Sequence, residues 1–263
     1  MKLTFDAYTL KWIAIIGMIT NHMVFAWLEF IPFWLRFPLY MAGGVTYPIM
    51  AYFVVEGYRH TSNMKKYILR LFIFGLIAQP FHVLTFRMFT FNILFTIILA
   101  LFILMLYDRM KIRFLFWLVF IIASIVAMAF DWFFVGILIP LMYHIISDEK
   151  RRRTWPAIVS GILWFGISMF AIWGFTIMQA TPGAEAQLEE FIRTYGDMDF
   201  LLPQATFFIG CFFAVFLLRR YNGERGKRMK WLFYASYPLH LAVLGLVALA
   251  LGLVDLDSIS FMF

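Results

Sequence analysis

The stretch from Leu10 to Trp27 reads LKWIAIIGMITNHMVFAW, and it decides the fold class of this chain. It is long and apolar enough to cross a lipid bilayer as a helix, because about 20 apolar residues span the hydrocarbon core. The stretch also carries the polar pair Asn21-His22. An ionisable side chain inside a membrane span is a candidate functional residue, and the alternative is a structural histidine that bonds a carbonyl of a neighbouring helix.

The rest of the chain has the same apolar character. Of its 263 residues, 63% are hydrophobic, and the mean hydropathy is +0.85. Such a composition excludes an ordinary soluble domain. The single cysteine, Cys211, lies in an apolar run, so we expect no disulfide. The first span has no Ala-x-Ala cleavage site and is long enough to stay in the membrane, so we expect no cleaved signal peptide.

Nine apolar segments have lengths that suit membrane spans, and the segment at 132–146 is the shortest of them. They lie at 8–28, 37–57, 67–86, 92–107, 113–131, 132–146, 155–178, 201–218 and 231–253. The sequence contains no separate soluble domain between these segments, and it shows no internal repeat. The sequence therefore predicts one all-α domain over 1–263, a polytopic integral membrane helical bundle of about nine transmembrane helices.

The distribution of basic residues predicts the orientation of this bundle. With the N-terminus inside, 19 of the 22 Lys and Arg residues fall on inner segments, and the outer segments hold only Arg36, Arg87 and Arg193. Cytoplasmic loops are enriched in Lys and Arg. We therefore expect an N-in/C-out topology. The net charge of +7 follows from this pattern, and no nucleic-acid-binding motif accompanies it, so no nucleic-acid partner is expected.

Several polar side chains fall at similar depths in the outer half of the predicted bundle. On this topology they are His22, His82, Asn92, Asp131 and His240. They are candidates for one site, although each also has a structural interpretation. Asp131, for example, lies at a turn and suits the cap of the following helix, while His240 follows a proline that frees a carbonyl in its own helix.

A second group of polar residues lies at the predicted inner ends of spans two and three. It comprises Tyr52, Glu56, Tyr58, Arg59, His60, Lys65, Lys66 and Arg70. Because a short loop makes these spans antiparallel neighbours, we expect a structural ion pair between Glu56 and Arg70. The functional alternative is a site for a cytosolic ligand that carries phosphates, which Arg and Lys bind strongly.

Other kinds of site find no support in the sequence. It contains no Gly-rich phosphate loop after a strand, no His-x-x-x-His pair on a helix face and no cluster of cysteines. No serine or threonine lies in a nucleophile-elbow motif. We therefore expect no metal site and no nucleotide hydrolase.

Four motifs, in order between Leu10 and about Leu241, carry a resemblance to a known family. They are Asn21-His22; Pro48-Ile49 with Glu56-Gly57-Tyr58-Arg59-His60-Thr61; Asn92-Ile93-Leu94-Phe95-Thr96; and Asn222-Gly223-Glu224-Arg225-Gly226 followed by Phe233-Tyr234 and Tyr237-Pro238-Leu239-His240. Together they resemble the TraX family, whose founding members are linked to N-acetylation of pilin. That family looks like a branch of the integral-membrane acyltransferases.

The resemblance implies an enzyme of the bacterial cytoplasmic membrane that takes an acetyl group from cytosolic acetyl-CoA. The acceptor would be an amine or hydroxyl at the outer side, on a protein N-terminus, a sugar or a lipid head group. The essential first-span histidine of the wider group maps to His22. The family pattern has Asp before this histidine, whereas this chain has Asn21, so Asp131 is the candidate for a substitute carboxylate.

Two sets of residues carry these expectations. The expected catalytic set is His22, Asn21, Asp131 and His240. The residues expected to bind acetyl-CoA are Glu56, Tyr58, Arg59, Lys65, Lys66, Arg70, Arg225, Lys227 and Arg228.

Two other functions remain open at this point. A small proton-coupled transporter or permease also uses His, Glu and Arg inside the membrane. The absence of an inverted repeat counts against it, because many transporter folds show one. A non-catalytic membrane scaffold is the other alternative, and the presence of Asn21 in place of Asp keeps it open.

Overall fold

The structure is a computed structural model that describes residues 3–195, 197–228, 230–254 and 260–261. Within these residues the chain is built almost entirely from helices. They are α1 (Ala7–Ala26), α2 (Phe33–Gly44), α3 (Thr46–His60), α4 (Met64–Phe86), α5 (Ile93–Arg109), α6 (Arg113–Val126), α7 (Val135–Ile145), α8 (Glu149–Arg152), α9 (Trp155–Ala180), α10 (Glu185–Tyr195), α11 (Met198–Ala205), α12 (Phe207–Arg219) and α13 (Lys230–Ala250). Two-residue strands β1 (Met88–Phe89) and β2 (Ser260–Phe261) pair in parallel.

The predicted all-α membrane bundle is confirmed. In the described part of the chain, six helices are long and apolar enough to cross a membrane, and the apolar segments Arg113–Ala129 and Val135–Ile145 are shorter. Three of the six are interrupted: Val45 separates α2 from α3, Arg153 and Thr154 separate α8 from α9, and Thr206 separates α11 from α12. The count of nine spans and the N-in/C-out orientation stay predictions.

Small residues bring α1 and α2 into close contact near the Asn21-His22 pair. A Cβ atom added to Gly17 would lie 2.4 Å from the carbonyl oxygen of Ala42, and one added to Gly43 would lie 2.5 Å from Cβ of Asn21. Helices in membranes pack closely where small residues let their backbones approach. This contact fixes the position of the C-terminal half of α1, which carries Asn21 and His22.

The last helix of the chain returns to the first. Helix α13 packs along α4 and also contacts α1, while α1 packs against α2 and α3 on its other sides. On α13, Tyr237, Pro238 and His240 are buried, as is His22 on α1. The first and last motifs of the sequence therefore meet inside the bundle.

The N-terminal segment is tied to the loop between α12 and α13. The backbone amide of Phe5 donates to the carbonyl of Arg220 at 2.9 Å, and the amide of Asn222 donates to the carbonyl of Phe5 at 2.9 Å. Asp6 caps α1 by accepting a hydrogen bond from the Thr9 amide at 2.8 Å. The basic residues that follow in the loop are thereby held beside the start of α1.

Candidate functional site

His22 and His240 are hydrogen-bonded partners inside the bundle. Nδ1 of His22 lies 2.7 Å from Nε2 of His240, and the two rings are stacked with their centroids 4.9 Å apart. Nδ1 of His240 lies 2.7 Å from the carbonyl oxygen of Ser236, one turn earlier in α13. Both rings are almost completely buried. The expectation that His22 and His240 converge is confirmed by this contact, while their chemical role stays a prediction.

His22 forms part of the wall of an internal cavity of about 90 Å³. The wall is drawn from α1, α2, α3, α5, α7, α12 and α13 and from the turn after α6; it includes Ala14, Met18, Asn21, Thr46, Tyr47, Met50, Val54, Ile93, Asp131, Trp132, Phe233, Ser236 and Tyr237. A space of this size holds a few water-sized groups, because one water needs roughly 10–15 Å³. The cavity thus has room for a small reacting group beside the histidine.

Asn21 lies on the same cavity but does not orient His22. Its side chain packs against Gly43, and in the described residues its Oδ1 atom is buried without a hydrogen-bond partner. No hydrogen bond joins Asn21 to the ring of His22 in this part of the structure; that contact is made by His240. The place of Asn21 in the expected catalytic set stays a prediction, and no contact with the ring of His22 supports it among the described residues.

Asp131 also borders the cavity, in the turn that joins α6 and α7 and outside both helices. Thr96 Oγ1 donates to its carbonyl oxygen at 2.7 Å, and the next two residues, Trp132 and Phe133, have φ angles of +67° and +46°. Left-handed backbone at bulky residues is costly and is held here by the surrounding contacts. Within the described residues, no hydrogen bond joins the carboxyl of Asp131 to either histidine of the pair.

His82 and Asn92 lie behind the cavity wall and join helices to each other. His82 Nε2 lies 3.1 Å from Thr90 Oγ1, and the hydroxyl of Tyr237 lies 3.4 Å from His82 Nδ1. Asn92 caps α5 and donates to the carbonyl of Gly75 at 2.8 Å. These contacts give both residues structural partners, so the site centres on His22 and His240.

At the opposite end of α3, the predicted ion pair between Glu56 and Arg70 is wrong. Glu56 Oε1 lies 3.4 Å from Arg152 Nη2 and 3.9 Å from Arg59 Nη1, while Arg70 Nε lies 3.4 Å from the hydroxyl of Tyr234. The short helix α8 carries Arg152 to Glu56. The prediction was wrong because it paired Glu56 only with the next helix along the chain. The actual partner, Arg152, lies in α8, which is distant from Glu56 in the sequence.

Two more residues of the α3 motif are tied to neighbouring helices. The hydroxyl of Tyr58 donates to Asp108 Oδ2 at 2.6 Å, and Arg59 Nη2 donates to the carbonyl of His144 at 2.9 Å. Asp108 also lies 2.8 Å from His144 Nε2. Tyr58 and Arg59 therefore link α3 to α5 and α7, and their expected role in binding acetyl-CoA stays a prediction.

The other residues expected to bind acetyl-CoA remain exposed. Lys65 and Lys66 lie in the first turn of α4, and Arg225, Lys227 and Arg228 lie in the loop beside the start of α1. Gly226 in that loop has a φ of +64° and packs against Asp6. Among the described residues, none of these five cations forms a salt bridge. Their charges are thus available to an anion.

Lys11 is a candidate residue that the sequence analysis did not single out. Its ammonium lies 4.9 Å from the ring centroid of Phe53 and 5.1 Å from that of Phe233, and Phe233 belongs to the cavity wall. No carboxylate lies within ion-pair distance of Lys11 in the part of the chain that is described. The sequence held a signal, because a spacing of 11 residues puts Lys11 and His22 on the same face of α1, roughly 16 Å apart along its axis.

Comparisons with known proteins extend over almost the whole chain. A family model described as "TraX protein" matches residues 6–248, a range that contains Lys11, His22 and His240. The chain is 28% identical over 261 residues to the "Probable fimbrial assembly protein FimC, serogroup H1" of Dichelobacter nodosus, covering 92% of this chain and 96% of that protein. No solved structure matches the chain.

Proposed function

Because the chain belongs to the TraX family, we propose that it is a membrane-embedded acyltransferase that moves an acetyl group from acetyl-CoA to an acceptor at the outer side of the membrane. The single observation that carries this proposal is the position of His22. A histidine is suited to proton transfer near neutral pH, and His22 lies on the wall of a small cavity in the membrane-embedded part of the chain.

The distribution of cations supports a donor that enters from the inner side. Lys11 lies beside Phe233 at the cavity wall, and Arg225, Lys227 and Arg228 are exposed in the loop next to the start of α1. Phosphates bind strongly to such cations. We assign the phosphates of acetyl-CoA to this group, so that its thioester extends into the cavity toward His22.

The proposed step is an acyl transfer with one proton relay. The amine or hydroxyl of the acceptor attacks the thioester carbonyl carbon, forming a carbon–nitrogen or carbon–oxygen bond, while the carbon–sulfur bond breaks. His22 takes the proton of the acceptor and returns it to the sulfur of coenzyme A. General base catalysis of this kind contributes about 10²–10⁴-fold to the rate.

The curated relative suggests the acceptor to test first. Its name describes a probable fimbrial assembly protein, and an acceptor in that process would be a fimbrial subunit reached from the outer side. We propose that this chain lies in the inner membrane of a bacterium and that its acceptor is a subunit of a surface fibre. The alternative acceptors for the same acyl transfer are a sugar and a lipid head group.

The test is to incubate purified protein with radiolabelled acetyl-CoA and cell-envelope fractions, and to identify the labelled product. We expect wild type to transfer label, and His22→Ala to lose transfer by at least about 10²-fold while it still binds acetyl-CoA. The matched control is His60→Ala, because His60 is exposed at the end of α3. Absence of acetyl-CoA binding by wild type would refute the proposal and favour a carrier or a scaffold.

A further inference from the structure

We propose that His240 is a positioning residue that fixes the tautomer of His22 and leaves Nε2 of His22 as the basic nitrogen. The effect of His240 on the reaction rate rests on the proposed acyl transfer. The assignment of protons stands on the hydrogen bonds of the two rings and is tested separately.

The argument begins at the carbonyl of Ser236. A carbonyl oxygen can only accept, so Nδ1 of His240, 2.7 Å away, must donate. A neutral imidazole carries one N–H, and Nε2 of His240 is therefore an acceptor. Since Nε2 of His240 lies 2.7 Å from Nδ1 of His22, the latter nitrogen carries the proton of that ring.

The protonation state of Nε2 of His22 follows from that of Nδ1. With its single proton on Nδ1, the ring has an unprotonated Nε2. In the described part of the chain this atom has no hydrogen-bond partner, and His22 lies on the cavity wall. A free imidazole exchanges between its two tautomers, whereas this pair holds the one whose Nε2 can take a proton.

This arrangement needs no carboxylate. When Nε2 takes a proton, the resulting imidazolium donates from Nδ1 to His240, whose Nε2 has a lone pair for it. Asn21 and Asp131 form no hydrogen bond with His22 among the described residues, and the ring is already oriented without them. His240 thus occupies the place that Asp takes in other histidine-based sites.

The first experiment uses wild-type protein in lipid bilayers with 15N-labelled histidine and requires no substrate. We expect the His22 signals to show a protonated Nδ1 and an unprotonated Nε2, with a through-hydrogen-bond coupling from Nδ1 of His22 to Nε2 of His240. Signals are assigned with His22→Gln and His240→Gln. A wild-type His22 that is protonated on Nε2 would overturn the inference.

The second experiment measures transfer by His240 variants. His240→Leu removes the acceptor, so we expect kcat to fall by about 10²-fold with the KM for acetyl-CoA unchanged. His240→Gln keeps an acceptor oxygen and should stay within tenfold of wild type. The control is His144→Gln, which breaks a contact with Asp108 at another site and should leave the His22 signals unchanged.

The outcomes separate this inference from the proposed function. Acetyl transfer with the opposite tautomer, or with full kcat in His240→Leu, would overturn the inference and keep the function. The expected tautomer in a protein that transfers no acyl group would refute the function and support the proton assignment.

Discussion

Gly44 and Gly210 meet at the crossing of α2 and α12, where the two backbones pack without a side chain between them. A Cβ atom added to Gly210 would lie 2.0 Å from the carbonyl oxygen of Met41 and 2.7 Å from Cα of Gly44. Phe207, three residues before Gly210, belongs to the cavity wall. This crossing therefore sets one side of the cavity.

The crossing predicts that Gly210→Ala is destabilising. The added methyl group meets backbone atoms that cannot turn away, and overpacking of this kind costs about 1–3 kcal/mol. The free energy of unfolding in detergent micelles measures the effect. Gly166→Ala in α9 is the matched control, because its added Cβ meets nothing within 4 Å. Equal stability of the two variants would show that α2 and α12 are not in close contact.

We expect Asn21→Asp to lower stability without raising activity. The sequence resemblance suggested that Asp would help His22, but Asn21 packs against Gly43 and makes no hydrogen bond to that ring in the described residues. A carboxylate there would be placed in the cavity without a cation, at a cost of about 1–3 kcal/mol or more. Unfolding and transfer rates measure both effects. The control is Asn63→Asp at the exposed cap of α4, where Asp and Asn are nearly equivalent. Faster transfer by a fully stable Asn21→Asp protein would contradict the geometry.

Lys11→Met should weaken binding of acetyl-CoA. Met keeps much of the length and apolar contact of the lysine side chain but removes the charge that lies between Phe53 and Phe233. Because a hydrogen bond to a charged group contributes about 1.5–3 kcal/mol, we expect the dissociation constant to rise by about tenfold or more. Equilibrium binding of labelled acetyl-CoA measures it. Lys111→Met, at an exposed lysine between α5 and α6, is the control and should bind as wild type does. Unchanged affinity in Lys11→Met would exclude Lys11 from the donor site.

The predicted orientation is tested with reporter fusions. A reporter enzyme that is active only in the periplasm should be inactive when fused after Lys150, within α8, and active when fused after Thr181, which follows α9. The reason is that basic residues concentrate before α9 and acidic residues after it, as cytoplasmic and outer loops require. The reverse pattern of reporter activity would show that the orientation is opposite to the predicted N-in/C-out topology. A reporter that is active at both positions would show that α9 does not cross the membrane.

The sequence was sufficient for the fold class because bilayer-spanning helices leave a strong local signal. Runs of apolar residues and the alternation of basic loops require no knowledge of which helices are neighbours. The break between α2 and α3 at Val45 was not predicted, since the apolar run from 37 to 57 continues through it. Pro48, in the first turn of α3, has no amide to bond the carbonyl of Gly44, and Gly43 and Gly44 also pack closely against α1 and α12, which is a tertiary contact.

The candidate site was predictable only in part for the same reason. Depth along a span placed His22 and His240 at similar levels, but depth does not show that one ring is the hydrogen-bond partner of the other. The pairing of Glu56 was mistaken because Arg152 arrives from α8, which a hydropathy pattern does not separate from its loop. Lys11 was overlooked because its aromatic partners, Phe53 and Phe233, come from distant parts of the chain.

The pairing of the first and last long helices also governs when this protein acquires its site during synthesis. His22 and His240 are separated by 218 positions in the chain. At about 5–20 residues per second, the ribosome adds His240 roughly 10–45 s after His22. During that interval α1 lacks α13, which is its final neighbour. A chain that terminates before α13 would insert most of its helices and still lack the hydrogen-bonded pair, so incomplete products carry no assembled site.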